Sequence, residues 1–443
     1  MKYVLLFIAF QFIWFPDIAI SPNAPCYFSD TSKSNQDSTL KEVSSQDLQW
    51  LKSLVIPLKS DSDQDKSDLI CLKQLVSNVK IVGLGEETHG SGSIYRMKDR
   101  IVEYLIENEG FNVFALETEM PAASKLNNFI NNGKGDPKQL LKDMGYWMWD
   151  TREMLDLLLW MRRYNETHVK KVLFAGIDMI DCEEPIGEIT QLCNQHAKND
   201  TLNIVKKLVA DIKVYSTYLK NKTPRTASDS AKYYSKEFQK NINADCASLR
   251  EYANKKISNK HYDWFIQNIR IIEQYTQIFS PGHSWYDRDK YMAENLFWLQ
   301  SQNPNSKIIV WAHNGHVKME FNSMGMFLHN EIKQSYLAIA FAFYEGTYSA
   351  FGKNGHDIYR AQTAYPGTYE YYFHCVGYPY FLLDLHTISK ELPQNQWMYS
   401  ERLKLRYTGA VAEDPEFFQW SIFTFNAVVF IDKATNSTLL HKW

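Results

Sequence analysis

The stretch Gly85-Glu86-Glu87-Thr88-His89-Gly90 sets a carboxylate three residues before an imidazole, directly after the short apolar run Ile81-Val82-Gly83-Leu84. A carboxylate beside a histidine fixes the tautomer and stabilises the imidazolium, leaving the other ring nitrogen to take a proton from water. Glu86 and His89 are thus a candidate general-base pair. Alone, such a turn is equally well a polar cap on a sheet edge. Two further runs repeat the pattern: Phe111 to Glu117 ends in a carboxylate, and Lys307 to Ala312 is followed by His313-Asn314-Gly315-His316. With only 12 histidines in the chain, two of them just after a third run point to a shared hollow. The residues alone give a general-base pair that could take a proton from water, with Glu117, His313 and His316 expected at the same edge.

Positioning these groups requires a sheet whose strands finish at one edge. Ile81 to Leu84 reads as a buried strand, Met97, Ile101, Leu105 and Ile106 recur at helical spacing, Gly110 stops that helix, and Phe111 to Glu117 returns to strand. This strand–helix–strand unit predicts neighbouring parallel strands with a right-handed crossover. Trp147 to Met161 reads as a helix, Val172 to Asp178 as another strand, and Tyr336–Phe343, Phe381–Leu385 and Ala427–Ile431 as later ones. The alternation gives the expected fold class: α/β, with a mainly parallel central sheet flanked by helices. The chain from about 186 to 285 shows helical patterning without a strand candidate and is expected to form a helical insertion or cap. Asp178 reads as a structural helix cap, and Trp147 and Trp149 as core.

Of 443 residues, 45% are hydrophobic and 22% charged, an ordinary globular balance. A net charge of −3 without a basic run argues against nucleic acid as partner. Tyr3 to Phe15 is apolar apart from Gln11 and follows Lys2, the shape of a signal-peptide core too short to span a bilayer. Residues 1–24 are therefore expected to be an export signal, 25–47 a flexible lead-in rich in Ser, Asp, Gln and Lys, and 48–443 the α/β domain, exported to the periplasm or beyond. No later stretch predicts a membrane helix. Six cysteines without a Cys-x-x-Cys pair argue against a structural zinc site, while export would permit disulfides.

Taken together, Gly85 to Gly90, Phe114-Ala115-Leu116-Glu117 and Trp311-Ala312-His313-Asn314-Gly315-His316 resemble the erythromycin esterase family. Trp147 to Asn165, Arg288 to Asn295 and Asn426 to Asp432 add supporting similarity. The resemblance implies an α/β protein with an added helical part that cleaves an ester or lactone, macrolide antibiotics being the family's characterised substrates. It also implies a histidine base acting on water without an obligatory cofactor or metal, and a small-molecule ester or lactone as partner. It assigns Glu86 and Glu117 to the carboxylate positions, His89 to the base, and His313 and His316 to the remaining cleft groups. An arginine position of the family falls on Lys98, with Arg96 and Arg100 nearby as candidates for substrate contact. Two other readings compete. A serine nucleophile (Ser91, Ser93 or Ser284) lacks a Gly-x-Ser-x-Gly elbow. A metal- or haem-binding protein, or a metal-dependent hydrolase, would use the same Glu and His residues as ligands.

Overall fold

The computed structural model describes residues 43–196, 203–213, 229–278, 286–353, 355–412 and 415–443. The expected export signal lies outside these residues. Among the described residues no helix is long and apolar enough to cross a membrane. A helix already begins at Ser45, inside the expected lead-in, because Ser44 and Asp47 close a capping box.

The strands, in chain order, are β1 (Ile56–Pro57), β2 (Ile81–Leu84), β3 (Val113–Glu119), β4 (Leu173–Asp178), β5 (Ile308–Trp311), β6 (Tyr336–Gly352), β7 (Gly355–Arg360), β8 (Tyr380–Asp384), β9 (Leu405–Arg406), β10 (Phe417–Phe418) and β11 (Ala427–Ala434). Nine of them form one sheet in the order β1-β8-β11-β6-β2-β5-β3-β4, with β7 paired to the far half of β6. From β11 to β4 every neighbouring pair is parallel. The antiparallel pairs β1–β8, β8–β11 and β6–β7 close the margin. Apolar residues of β2, β3, β5, β6 and β11 are divided between two buried clusters, one on each face of the sheet. The protein is α/β with a mostly parallel central sheet flanked by helices, as the alternation of runs predicts.

Several local expectations differ from what forms. β2 and β3 are not neighbours: β5 lies between them and pairs with both. All four β5 residues are buried, so this strand suits a central slot with helices on both faces, and the crossover helix Gly92–Asn108 spans one strand further than expected. The helix predicted from Trp147 starts at Arg152, where the Thr151 side chain accepts from Met154 N. Strand β6 runs well past Phe343 and folds back on β7, a hairpin that the sequence reading does not contain.

Within the stretch read as a helical insertion, helices Glu183–His196, Asp229–Lys256 and Asn259–Ile278 pack with residues 203–213 around a third apolar cluster of their own. Gln267 of this group donates to Asn295 Oδ1 at 2.9 Å, and Asn295 in turn donates to the Ile177 carbonyl of β4. That chain of bonds ties the helices to the sheet.

Candidate active site

The order β2-β5-β3-β4 is what assembles the site. These four strands are adjacent and parallel, so their carboxyl ends share one edge, where ligands bind in open α/β sheets. Glu86 and His89 leave β2, His313 and His316 leave β5, Glu117 lies near the end of β3, and Asp178 ends β4.

The turn after β2 is compressed. A Cβ at Gly85 would lie 2.0 Å from Asn314 Oδ1, and one at Gly90 would lie 1.8 Å from the Ser349 carbonyl. Only glycine allows those approaches. Asn314 is fixed by two backbone bonds to Phe341, at 2.9 and 3.2 Å, so the two loops and β6 lock together.

His89 Nδ1 lies 2.7 Å from Glu86 Oε1. The other carboxylate oxygen, Oε2, accepts from Lys98 Nζ and from Trp311 Nε1, each at 2.8 Å. Glu86 therefore holds His89 while two buried donors hold Glu86. Lys98 also sits 4.1 Å from the centre of the Trp311 ring. Burial pulls its ammonium down to about 8, with Glu86 opposing. With Nδ1 turned to Glu86, His89 keeps Nε2 without a hydrogen bond among the described residues. Its ring is bounded by the edge of Trp149 (6.2 Å between centroids) and by His313 (5.1 Å). Tyr95 donates to the His89 carbonyl at 2.7 Å, and Trp149 donates to the Glu117 carbonyl at 3.2 Å.

Glu117 is the second anchor. Its Oε1 meets Arg288 Nη2 at 2.9 Å and His316 Nε2 at 3.1 Å, while Oε2 accepts the His313 backbone N–H at 2.9 Å. Burial works against its charge, but His316 and Arg288 hold the carboxyl well below its ordinary range. Arg288 also forks onto Asp178, with Nε–Oδ1 at 3.0 Å and Nη2–Oδ2 at 2.6 Å. His316 Nδ1 faces Asp289 at 2.9 and 3.0 Å. With carboxylates at both ring nitrogens, each nitrogen carries a proton. Burial opposes that charge, yet Asp289 and Glu117 push the pKa up to about 10. His316 is thus an imidazolium, and the 3.2 Å approach of Arg288 Nη1 to its Nε2 is a contact between two donors rather than a hydrogen bond.

His313 is spent on scaffolding. Its Nδ1 accepts from Gly315 N at 3.0 Å, so the proton on Nε2 points to the Glu87 carbonyl at 3.2 Å. Burial, then the neighbouring His89 and His316, drive its pKa well down, and the ring is neutral.

Of the three basic candidates, only Lys98 reaches the site, and it does so under Glu86 rather than open to a substrate. Arg96 and Arg100 do not reach it and are corrected: Arg96 pairs with Asp61 at 2.6 Å, and Arg100 with Asp68 at 2.7 Å and the Asp63 and Asp65 carbonyls. Each lies two residues from Lys98, about 200° around the helix, on the opposite face. Asp178 and Trp149, read from sequence as structural, belong to the site. Arg288 and Asp289 were not singled out as site residues, although their charges stand in the first turn of the helix Tyr286–Gln302 and Arg288 opens one of the supporting similarities. Of the donor set that a metal would need, Glu86, Glu117, His313 and His316 are engaged with protein hydrogens. Among the described residues no group of three His, Cys, Asp or Glu side chains is placed to hold an ion.

The chain as a whole is similar to known proteins. The family model described as erythromycin esterase matches residues 106–434. The chain belongs to the erythromycin esterase family. Among proteins of similar sequence, the hydrolase-named YbfO of Bacillus subtilis (strain 168) is 25% identical over 411 residues, covering 82% of this chain and 86% of that one. The erythromycin esterase type II of Escherichia coli is 24% identical over 327 residues, covering 67% and 77%. A Bacillus cereus protein of known structure superposes with a TM-score of 0.75 at 28% identity, covering 90% of this chain and 99% of that one. A mutant of the erythromycin esterase EreC in its open conformation shares the fold, with a TM-score of 0.65 at 18% identity and coverage of 86% and 97%. The segment matched to the erythromycin esterase family begins after Glu86 and His89, whose roles rest on the geometry above.

Proposed function

We propose that this member of the erythromycin esterase family is an exported hydrolase that cleaves a carboxylic ester or lactone by attack of water activated at His89. One observation carries the reading: Glu86 fixes His89 Nδ1 at 2.7 Å and leaves Nε2 without a hydrogen bond among the described residues, in a side chain that is 11% exposed. Water on Nε2 gives up its proton as it attacks the carbonyl carbon. Glu86 stabilises the resulting imidazolium. The oxyanion that forms on the carbonyl oxygen is met by positive charge from His316 and Arg288, both held in place before substrate arrives. His89 then returns the proton to the leaving alkoxide, so the cycle balances without a covalent intermediate.

Export is inferred from Lys2 and the apolar core Tyr3 to Phe15, and places the activity in the periplasm or outside the cell. The family relationship supports a small-molecule substrate. A macrolide lactone is the substrate class that the E. coli relative's name suggests. The test is a panel of erythromycin and simple p-nitrophenyl esters, assayed with and without chelator. Hydrolysis that survives chelation supports the water mechanism. Activity abolished by chelator and restored by one metal would replace it with the metal-dependent reading.

A further inference from the structure

Two residues beyond His316, Lys318 presents an ammonium with no carboxylate within ion-pair distance among the described residues, although Glu320 and Asp289 are near enough to favour its charge. The residue is 7% exposed, yet among the described residues its Nζ takes part in no ion pair and no hydrogen bond. It stands instead over aromatic rings, 3.7 Å from the centre of Trp420 and 5.2 Å from that of Phe321. A buried ammonium ordinarily acquires an acceptor, because desolvating the charge is otherwise uncompensated. Ring faces compensate only in part.

The surroundings join this ammonium to the cleft. Trp420 packs against Tyr407 at 4.4 Å between centroids, and Tyr407 against His313 at 4.5 Å. Phe418 lies 6.0 Å from Tyr407, and Tyr407, Phe418 and Trp420 are all half-buried. The rings therefore make a half-buried wall leading from His313, which adjoins His89, to Lys318. Phe321 is 63% exposed and, with Asn322, has left-handed backbone angles (φ 55° and 54°). Bulky side chains rarely adopt that conformation, and here it sets an exposed ring beside the ammonium.

Resting on the hydrolase reading above, we infer that Lys318 with Trp420 and Phe321 forms a subsite for an anionic group of the substrate, so that the preferred ester carries a carboxylate beside an apolar body. The aromatic wall takes the apolar body. Lys318 gains the charge-assisted hydrogen bond that it lacks in the free protein.

Two esters of matched length separate this from the parent reading: p-nitrophenyl octanoate, which is neutral, and mono-p-nitrophenyl suberate, which ends in a carboxylate too far from the ester to displace p-nitrophenolate by closing a cyclic anhydride. Wild type is expected to favour the suberate ester in kcat/KM by about tenfold, the worth of one charge-assisted hydrogen bond. Lys318→Met brings that ratio to about one, mainly through KM for the suberate ester, and Lys318→Arg retains it. A wild-type ratio near one, or a ratio unchanged in Lys318→Met, overturns the subsite while leaving ester hydrolysis intact. If wild type cleaves neither ester, the hydrolase reading fails and the subsite is judged by calorimetry with N-butyl suberamate. Binding to wild type that is lost in Lys318→Met supports it; no binding, or equal binding, overturns it.

Discussion

Lys98 Nζ and Glu86 Oε2 stand 2.8 Å apart, and neither side chain has any exposed surface. The pair lies beneath His89, the proposed base, so its integrity decides where that ring points. Lys98→Met leaves the Glu86 charge buried with one donor fewer. The expected loss is about 3–5 kcal/mol of unfolding free energy, read by urea titration. Adding Glu86→Gln to that variant recovers part of the stability and none of the activity. Equal stability of Lys98→Met and wild type would show that the buried pair does not matter.

His89→Asn removes the base and leaves Glu86 held by Lys98 and Trp311. Ester turnover is expected to fall by roughly 10²–10⁴, the usual worth of a general base. Unfolding free energy moves by no more than about 1.5 kcal/mol, the size of one hydrogen bond. Undiminished turnover in this protein would end the mechanism.

His316 supplies a pH dependence of stability. Folding raises its pKa from 6.5 to about 10 because Asp289 and Glu117 outweigh burial. A group raised on folding contributes fully below its unfolded value and loses that contribution as pH climbs through the folded one. Stability from this group therefore declines between pH 6.5 and about 10. In His316→Gln that part of the decline is absent from melting curves recorded across the interval. An identical decline in both proteins contradicts the imidazolium assignment.

Glu87 and Glu370 form a buried carboxyl pair behind the signature turn. Glu87 Oε1 and Glu370 Oε2 are buried without another hydrogen-bond partner. Burial raises both carboxyls, and Glu370 drives Glu87 well above its ordinary range. Held above their ordinary range, the two carboxyls are expected to share a proton at pH 7, with the Arg406 guanidinium 3.8 Å from Glu87. Glu87→Gln is therefore expected to cost less than about 1 kcal/mol at pH 7, since it replaces a group that is already neutral. At alkaline pH the variant outlasts wild type, whose raised carboxyl loses its contribution as pH rises. A loss of several kcal/mol at pH 7 would mean that Glu87 is ionised.

Strands β2 to β6, β8 and β11 were legible because each contains a short apolar run broken by glycine or a charged residue, with the candidate groups where those runs stop, whereas β1, β7, β9 and β10 hold no such run and were not read. What periodicity leaves open is which strand lies beside which. Nothing in Ile308-Ile309-Val310-Trp311 says that it lies between two strands formed some 200 residues earlier, yet that slot brings His316 to Glu117. Arg288 and Asp289 were invisible for a related reason: charges opening a helix look like a solvated end, and only the fold shows Arg288 clasping Asp178. The choice among Lys98, Arg96 and Arg100 was decidable from helical geometry, because the apolar face of Ile94, Met97, Ile101 and Leu105 also contains Lys98.

The place of β2 in the sheet bears on biosynthesis. Its two neighbours are β5 and β6, and Trp311, the residue that caps Glu86 from β5, comes 225 positions later in the chain. A nascent polypeptide emerging from the ribosome thus carries its base motif for most of translation without the partners that shape it. On the proposed mechanism, a product interrupted before β5 lacks Trp311, His313 and His316 and is expected to be inert rather than partly active.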